Sequence, residues 1–256
     1  MAKWFISLEK VENDLSKKFP EKDDGTRINP STACRISYLC GMELVPSQTV
    51  AARVAEMLLE VKAVRLSPES PFTWASGWKS PIYCDNRVTL SSASVRTYIK
   101  DSLAEMIKNE FADVDAIAGV ATAGIPQGAL VADVLGLPFL YVRPKPKDHG
   151  MGNQIEGRLE AGQKVVVIED LISTGGSSLK AVEALRKGGA EVVGMAAIFT
   201  YGFPISVQNF EQAEVRLRCL SDYNALVQTA LPLGYISENQ VATLKEWRQA
   251  PETWKQ

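Results

Sequence analysis

The stretch VVIEDLISTGGSS, residues 166–178, decides how the chain is read. It completes an apolar run bounded by charges, 164-KVVVIED-170, the pattern of a strand buried on both faces. Two carboxylates, Glu169 and Asp170, close that run. A loop of branched, hydroxyl and glycine residues follows. Then 177-SSLKAVEALRKGGA-190 reads as a helix that begins with serines and stops at Gly188 and Gly189. A strand that ends in acids and feeds a helix through small residues lies at the carboxyl edge of an open sheet, where ligands bind.

Strand and helix alternate on either side of this unit. Before it, 114-VDAIAGVATAGIP-126 reads as a strand ending in a small-residue loop, and 127-QGALVADVLG-136 as a helix closed by Gly136. The segment 138-PFLYVR-143 is a further strand, residues 93–111 are helical, and 71-PFTWASGWKSPIYCDNR-87 is strand and turn. After it comes the strand 191-EVVGMAAIFTY-201, then a tail, 205–231 and 237–249, that reads as mostly helical. The alternation predicts an α/β fold of right-handed βαβ units, with a central, mainly parallel sheet flanked by helices. A helix starts near Pro46 or Ser47, with Val50, Val54, Met57, Leu58 and Val61 on one face. Residues 1–41 differ in character from the rest, and the segment 17-KKFPEKDDGTRINPSTA-33 within them shows no helical or strand period. They read either as a mobile extension or as the product of an upstream start, with Met42 the functional one.

The totals exclude several classes. A chain of 256 residues, 46% hydrophobic, can bury a full core, and a net charge of −2 gives no global nucleic-acid footprint. The four cysteines, Cys34, Cys40, Cys84 and Cys219, are scattered, and His149 is the single histidine. Neither a zinc site nor a disulfide framework is expected, so the chain reads as cytoplasmic. No apolar run is long enough to span a bilayer, and the charged N-terminus is not a secretory signal.

The loop after the acids suits an anion. The N–H groups at the start of a helix favour phosphate, Gly175 and Gly176 allow close approach, and Ser173, Thr174, Ser177 and Ser178 add hydroxyls. There is no lysine in P-loop position and no GxGxxG spacing. A ribose 5-phosphate satisfies both halves of the stretch, with its phosphate in the loop and its vicinal diol on the acids.

With its ordered segments, the stretch resembles the 5-phosphoribosyl 1-pyrophosphate (PRPP) signature of type I phosphoribosyltransferases. Three more segments are similar to those of the orotate phosphoribosyltransferase family. They are 72-FTWASGWKSPIYCDNR-87 at the orotate pocket, 119-GVATAGIP-126 at pyrophosphate, and 143-RPKPKDHGMGNQIEG-157 as the mobile catalytic loop. The likeness runs from about Val45 to Pro204, with the tail included. It implies a single domain over 42–256, with a small hood contributed by about 42–90 and the C-terminal helices. It implies transfer of ribose 5-phosphate from PRPP to orotate in pyrimidine (UMP) biosynthesis. The rival readings are a transferase for a purine or other base, and a non-catalytic PRPP-binding regulator of the same fold. Too few residues follow the sheet for a second catalytic domain, so one activity is expected.

The resemblance also implies residue roles. Lys147, His149, Arg143 and Asp170 are the expected catalytic residues. PRPP is expected on Arg143, Lys147, His149, Glu169, Asp170, Leu171, Ile172, Ser173, Thr174, Gly175, Gly176 and Ser177, and on Ala121, Thr122, Ala123 and Gly124. Orotate is expected on Ser173, Lys79 and Tyr83. Mg²⁺ is implied, bound mainly through PRPP, as is a homodimer that shares the mobile loop between subunits. No nucleic-acid or membrane partner is expected. The chain departs from many members in three places: Pro144 follows Arg143, Ala75 stands where a lysine is common, and 199-FTYGFP-204 lacks an orotate-binding arginine.

Overall fold

A computed structural model describes residues 48–74, 76–145 and 154–255. The reading of residues 1–41, the Ala75 departure, and Lys147 with His149 lie outside the described residues. The compact unit that contains the described residues runs from Glu43 to Gln256.

The first helix, α1 (Gln48–Glu60), buries Val54, Met57 and Leu58, as its spacing predicts, and Leu59 besides. Four short strands follow: β1 (Val64–Leu66), β2 (Phe72–Thr73), β3 (Lys79–Ser80) and β4 (Ile82–Cys84). They form two antiparallel pairs, β1 with β4 and β2 with β3. A 3₁₀ helix, Asn86–Ser91, leads into α2 (Ala93–Glu110). Next come β5 (Ala116–Val120), α3 (Gly124–Leu135), β6 (Phe139–Val142), β7 (Ile155–Glu156), β8 (Lys164–Ile172) and α4 (Gly176–Lys187). The chain finishes with β9 (Glu191–Thr200), α5 (Pro204–Gln212), β10 (Leu217–Asp222), α6 (Tyr223–Ala230) and α7 (Glu238–Gln249).

The central sheet has the order β10-β9-β8-β5-β6-β7. Every pairing is parallel except that of β7, which runs antiparallel to β6 at the edge. Strand alternation sorts two cores. Ile117, Val166, Ile168, Ala196 and Ile198 face a layer built from α1, α2, α3, α6 and α7. Ala116, Ala118, Val165, Val167, Met195 and Ala197 face α4 and α5. Both faces of β5 and β8 are covered, which is why those strands read as unbroken apolar runs.

Four boundaries differ from the sequence reading. Strand β8 continues past Asp170, because Leu171 and Ile172 still pair with Phe199 and Thr200 of β9. Helix α3 begins at Gly124 and not at 127, since a proline fits the first helical turn, where its missing N–H is not needed. The tail is not wholly helical, for β10 adds an edge strand beside β9. In β10, Leu217 and Cys219 turn inward while Arg218 donates to the Glu110 carboxylate at 2.9 Å. Strand β7 is two residues long, below what periodicity can register.

The two small sheets and the C-terminal helix meet in an aromatic cluster. The Trp247 ring lies 5.7 Å from Trp74, 5.8 Å from Tyr201 and 5.5 Å from both Phe203 and Tyr223. Its indole N–H donates to the Lys79 carbonyl at 3.2 Å. This joins N-terminal and C-terminal segments into the expected small appendage on the sheet.

Candidate active site

Strand β8 delivers the two acids to the edge of the sheet, and their surroundings differ. Glu169 is 6% exposed. Its Oε2 accepts from the Ser178 hydroxyl at 2.9 Å and its Oε1 from the Asp170 N–H at 3.1 Å. Burial, with the Asp170 charge added, pushes the Glu169 carboxyl up to about 8. Asp170 is half-buried, and burial raises its carboxyl too. Of the pair, Asp170 is the more exposed. The Ser178 hydroxyl, read from sequence as a phosphate donor, serves Glu169 instead.

Beyond Ile172 the turn is short. Leu171 and Ile172 are strand residues, and the Ile172 carbonyl accepts from the Thr200 hydroxyl and the Tyr201 N–H. Gly175, at φ 82°, precedes the first turn of α4, and no side chain caps that helix. The N–H groups of the first turn therefore have no intrahelical acceptor and remain donors for an anion. Helix α5 supports the turn from behind. The Asn209 amide donates to the Thr174 carbonyl at 2.9 Å, and a Cβ on Gly175 would meet Phe210 at 2.6 Å. Ser173 and Thr174 are half-buried, while Gly176 and Ser177 are exposed.

The second small-residue loop, Ala121–Ala123, joins β5 to α3. Its Ala121–Thr122 peptide is cis, and the Ala121 N–H donates to Val142 at 2.9 Å. Glycine is required here by proximity. A Cβ on Gly124 would stand 2.4 Å from the Ile168 carbonyl, and one on Gly119 would stand 2.8 Å from the Gly124 carbonyl. The start of α3 thus lies directly against β8, one residue before the acid pair.

Arg143 leaves the end of β6, and its backbone exchanges two hydrogen bonds with Gln154. The Arg143 N–H donates to the Gln154 carbonyl and the Gln154 amide to the Arg143 carbonyl, both at 2.9 Å. The guanidinium stands 3.7 Å from Glu156, and its Nη1 has no hydrogen-bond partner among the described residues.

The segment expected at the base is more committed than its sequence suggests. The Lys79 ammonium donates to the Thr73 hydroxyl at 2.9 Å, and the Ile82 carbonyl accepts from the Trp74 indole at 3.1 Å. The Tyr83 ring packs 5.7 Å from Phe72, with the Arg65 guanidinium 5.1 Å above it. Tyr201, at the place of the missing arginine, is buried among rings, 5.2 Å from Trp74 and 5.4 Å from Phe203. Sequence reasoning passed over Asn86, whose buried amide donates to the Asp170 carbonyl at 2.6 Å. Nothing in the local pattern marks a contact 84 residues away.

Comparison with known proteins shows the family and the fold. The model of the phosphoribosyl transferase domain family matches residues 94–225. The orotate phosphoribosyltransferase of Porphyromonas gingivalis is 61% identical over 207 residues, 81% of this chain and 99% of that one. The crystal structure of orotate phosphoribosyltransferase from Aeropyrum pernix is similar at TM-score 0.63 and 32% identity, covering 72% of this chain and 99% of that one. The Mycobacterium tuberculosis enzyme solved with PRPP is similar in fold, at TM-score 0.55 and 24% identity, over 69% of this chain and 98% of that one.

Proposed function

The chain belongs to the orotate phosphoribosyltransferase family, and on that footing we propose how its own residues carry the reaction. It transfers the ribose 5-phosphate group from PRPP to orotate, giving orotidine 5′-phosphate and pyrophosphate. The assignment of roles rests on one observation above all. The acid pair lies near the carboxyl end of β8, which finishes at Ile172 and is joined by a short turn to the uncapped start of α4, so a sugar site and a phosphate site adjoin.

Orotate nitrogen attacks the anomeric carbon as the bond to pyrophosphate breaks, with inversion. Positive charge grows on the ribose and negative charge on the leaving group. Asp170 accepts hydrogen bonds from the ribose hydroxyls and favours the developing cation, while Glu169 lies behind it, held by Ser178. The turn Ser173–Ser177 and the first N–H groups of α4 hold the 5-phosphate. The loop Ala121–Gly124 takes pyrophosphate oxygens, with the Arg143 guanidinium, Lys147 and His149 neutralising the departing charge. The Ser173 hydroxyl, the Tyr83 side chain and the Lys79 ammonium, which spends one N–H on Thr73, are the donors proposed for orotate.

The residues present fit a divalent ion carried by the substrate. Glu169 already accepts one hydrogen bond on each carboxylate oxygen. Asp170 is the carboxylate able to face an ion bound to PRPP oxygens, as Mg²⁺ commonly is. When bound, Mg²⁺ adds charge neutralisation at pyrophosphate.

An orotate-depletion assay with PRPP, with and without Mg²⁺, tests these roles. Asp170→Asn is expected to abolish most turnover; wild-type turnover in that variant would reject the ribose assignment. Chelating the ion is expected to stop turnover and to weaken PRPP binding seen by calorimetry. A homodimer in which the segment carrying Lys147 and His149 serves the neighbouring subunit is part of the proposal. Mixing Lys147→Ala with Asp170→Asn subunits should then restore activity, and no recovery would mean that each chain completes its own site. Cytoplasmic location is likewise proposed, testable by cell fractionation. It accords with the finding that no helix among the described residues is long and apolar enough to cross a membrane.

A further inference from the structure

The segment 84-CDNRVTL-90 has no role in the chemistry above, yet it carries a directed chain of buried hydrogen bonds that ends on the acid pair. The Asn86 side chain donates to the Asp170 carbonyl at 2.6 Å, and its own Oδ1 accepts from the Cys84 thiol at 3.3 Å. Those two contacts fix which way the amide faces. The Thr89 hydroxyl donates to the Asn86 carbonyl at 2.6 Å, so it is left to accept from the Gln127 amide at 3.4 Å. Gln127 lies in the first turn of α3, three residues past Gly124. Asn86, Thr89 and Gln127 are all buried. Burial also holds the Cys84 thiol protonated, with the Asp170 and Asp85 charges acting in the same direction.

The place of this chain in the sheet gives it a purpose. The pairing of β8 with β5 ends at Gly119 and Ile168. Two residues later the Asp170 carbonyl takes its hydrogen from a side chain. A carbonyl away from water that loses its donor bears a desolvation cost, and a shift of the Asp170 peptide toward another donor would carry the carboxylate of the same residue with it.

We propose that Asn86 is a positioning residue for the transfer: its amide sets the Asp170 peptide, and Thr89 and Gln127 tie that setting to the helix behind the pyrophosphate loop. The 3₁₀ helix is then a strut between the two halves of the PRPP site. The inference rests on the assignment of Asp170 to the ribose.

The test compares Asn86→Ala, Thr89→Val, Thr89→Ser and Asp170→Asn in kcat, KM for PRPP, PRPP affinity by calorimetry, and melting temperature. For Asn86→Ala, kcat is expected to fall about 10-fold to 100-fold, as for a reacting group displaced by about 1 Å, with PRPP affinity within a few-fold of wild type. Thr89→Val, which keeps shape and loses the hydroxyl, should show a smaller loss of kcat, and Thr89→Ser should recover it. The proposal is overturned if Asn86→Ala keeps wild-type kcat, or if kcat and affinity fall together in step with the folded fraction. It is equally overturned if Thr89→Ser does no better than Thr89→Val, a comparison that stands even where Asn86→Ala does not fold. Wild-type turnover in Asp170→Asn would instead remove the ribose assignment, so the two failures are distinct.

Discussion

Replacing Glu169 by glutamine should make the protein more stable in alkaline solution while leaving its stability in acid nearly unchanged. Gln keeps the shape of the side chain and can still meet Ser178 and the Asp170 N–H, but it cannot ionise. In the wild type the folded-state carboxyl is raised from 4.5 to about 8, mainly by burial and then by the Asp170 charge. Below about 4.5 the folded and unfolded chains both hold the proton, and no ionisation cost arises. As pH rises the unfolded chain releases it first, so stability falls until the folded carboxyl also ionises near 8. At about 1.4 kcal/mol per pH unit the whole interval is worth on the order of 5 kcal/mol. Asp170 shares that cost, since protonating either carboxyl relieves both, so the gain from one substitution is nearer 2–3 kcal/mol, roughly half. For a domain of this size that is roughly 5–10 °C in melting temperature at pH 9, shrinking toward zero at pH 5. Urea melts of both proteins across that range provide the measurement. Parallel curves for wild type and Glu169→Gln would refute the reasoning.

Three other outcomes follow from the geometry. Gly124→Ala places a Cβ 2.4 Å from the Ile168 carbonyl, and should cost about 1–3 kcal/mol of stability as an overpacked site, with a loss of pyrophosphate affinity seen by calorimetry. Trp247→Ala removes a fully buried ring and the bond to the Lys79 carbonyl, and should cost about 3–5 kcal/mol in denaturant melts; kinetics should show KM for orotate rising more than KM for PRPP. Lys147→Ala should lose most turnover with a much smaller loss of PRPP binding, and unchanged turnover would reject its assigned role.

The parts of the fold that were legible in sequence are those set by local pattern. The run 164–170 declared a buried strand, and paired glycines with serines marked the start of α4. Strand β10 escaped because its sequence, LRCLSD, sits between helices and its two-residue period is short. Its largely buried Arg218 finds a partner in Glu110, which is 108 residues distant. The acid pair was legible as a pair, but its asymmetry was not. That asymmetry comes from Ser178, which a helix turn brings back onto Glu169. The supports of the phosphate turn, Asn209 and Phe210, are likewise invisible in the motif, because they arrive from α5 after a whole strand has intervened. Long-range contacts of this kind carry no local signature.

The reciprocal bonds between Arg143 and Gln154 have a geometric corollary for the residues between them. With both ends pinned, that span is a leash of fixed length. An extended chain covers at most about 3.5 Å per residue, so the Cα of Lys147 can stand no further than roughly 14 Å from that of Arg143. For His149 the tighter tether is Gln154, at roughly 18 Å. Under the proposed roles, the pyrophosphate that Lys147 and His149 serve, in whichever subunit, lies within that radius plus one side chain. Any proposed pairing of two chains can be checked with a ruler against this limit before an enzyme assay is run.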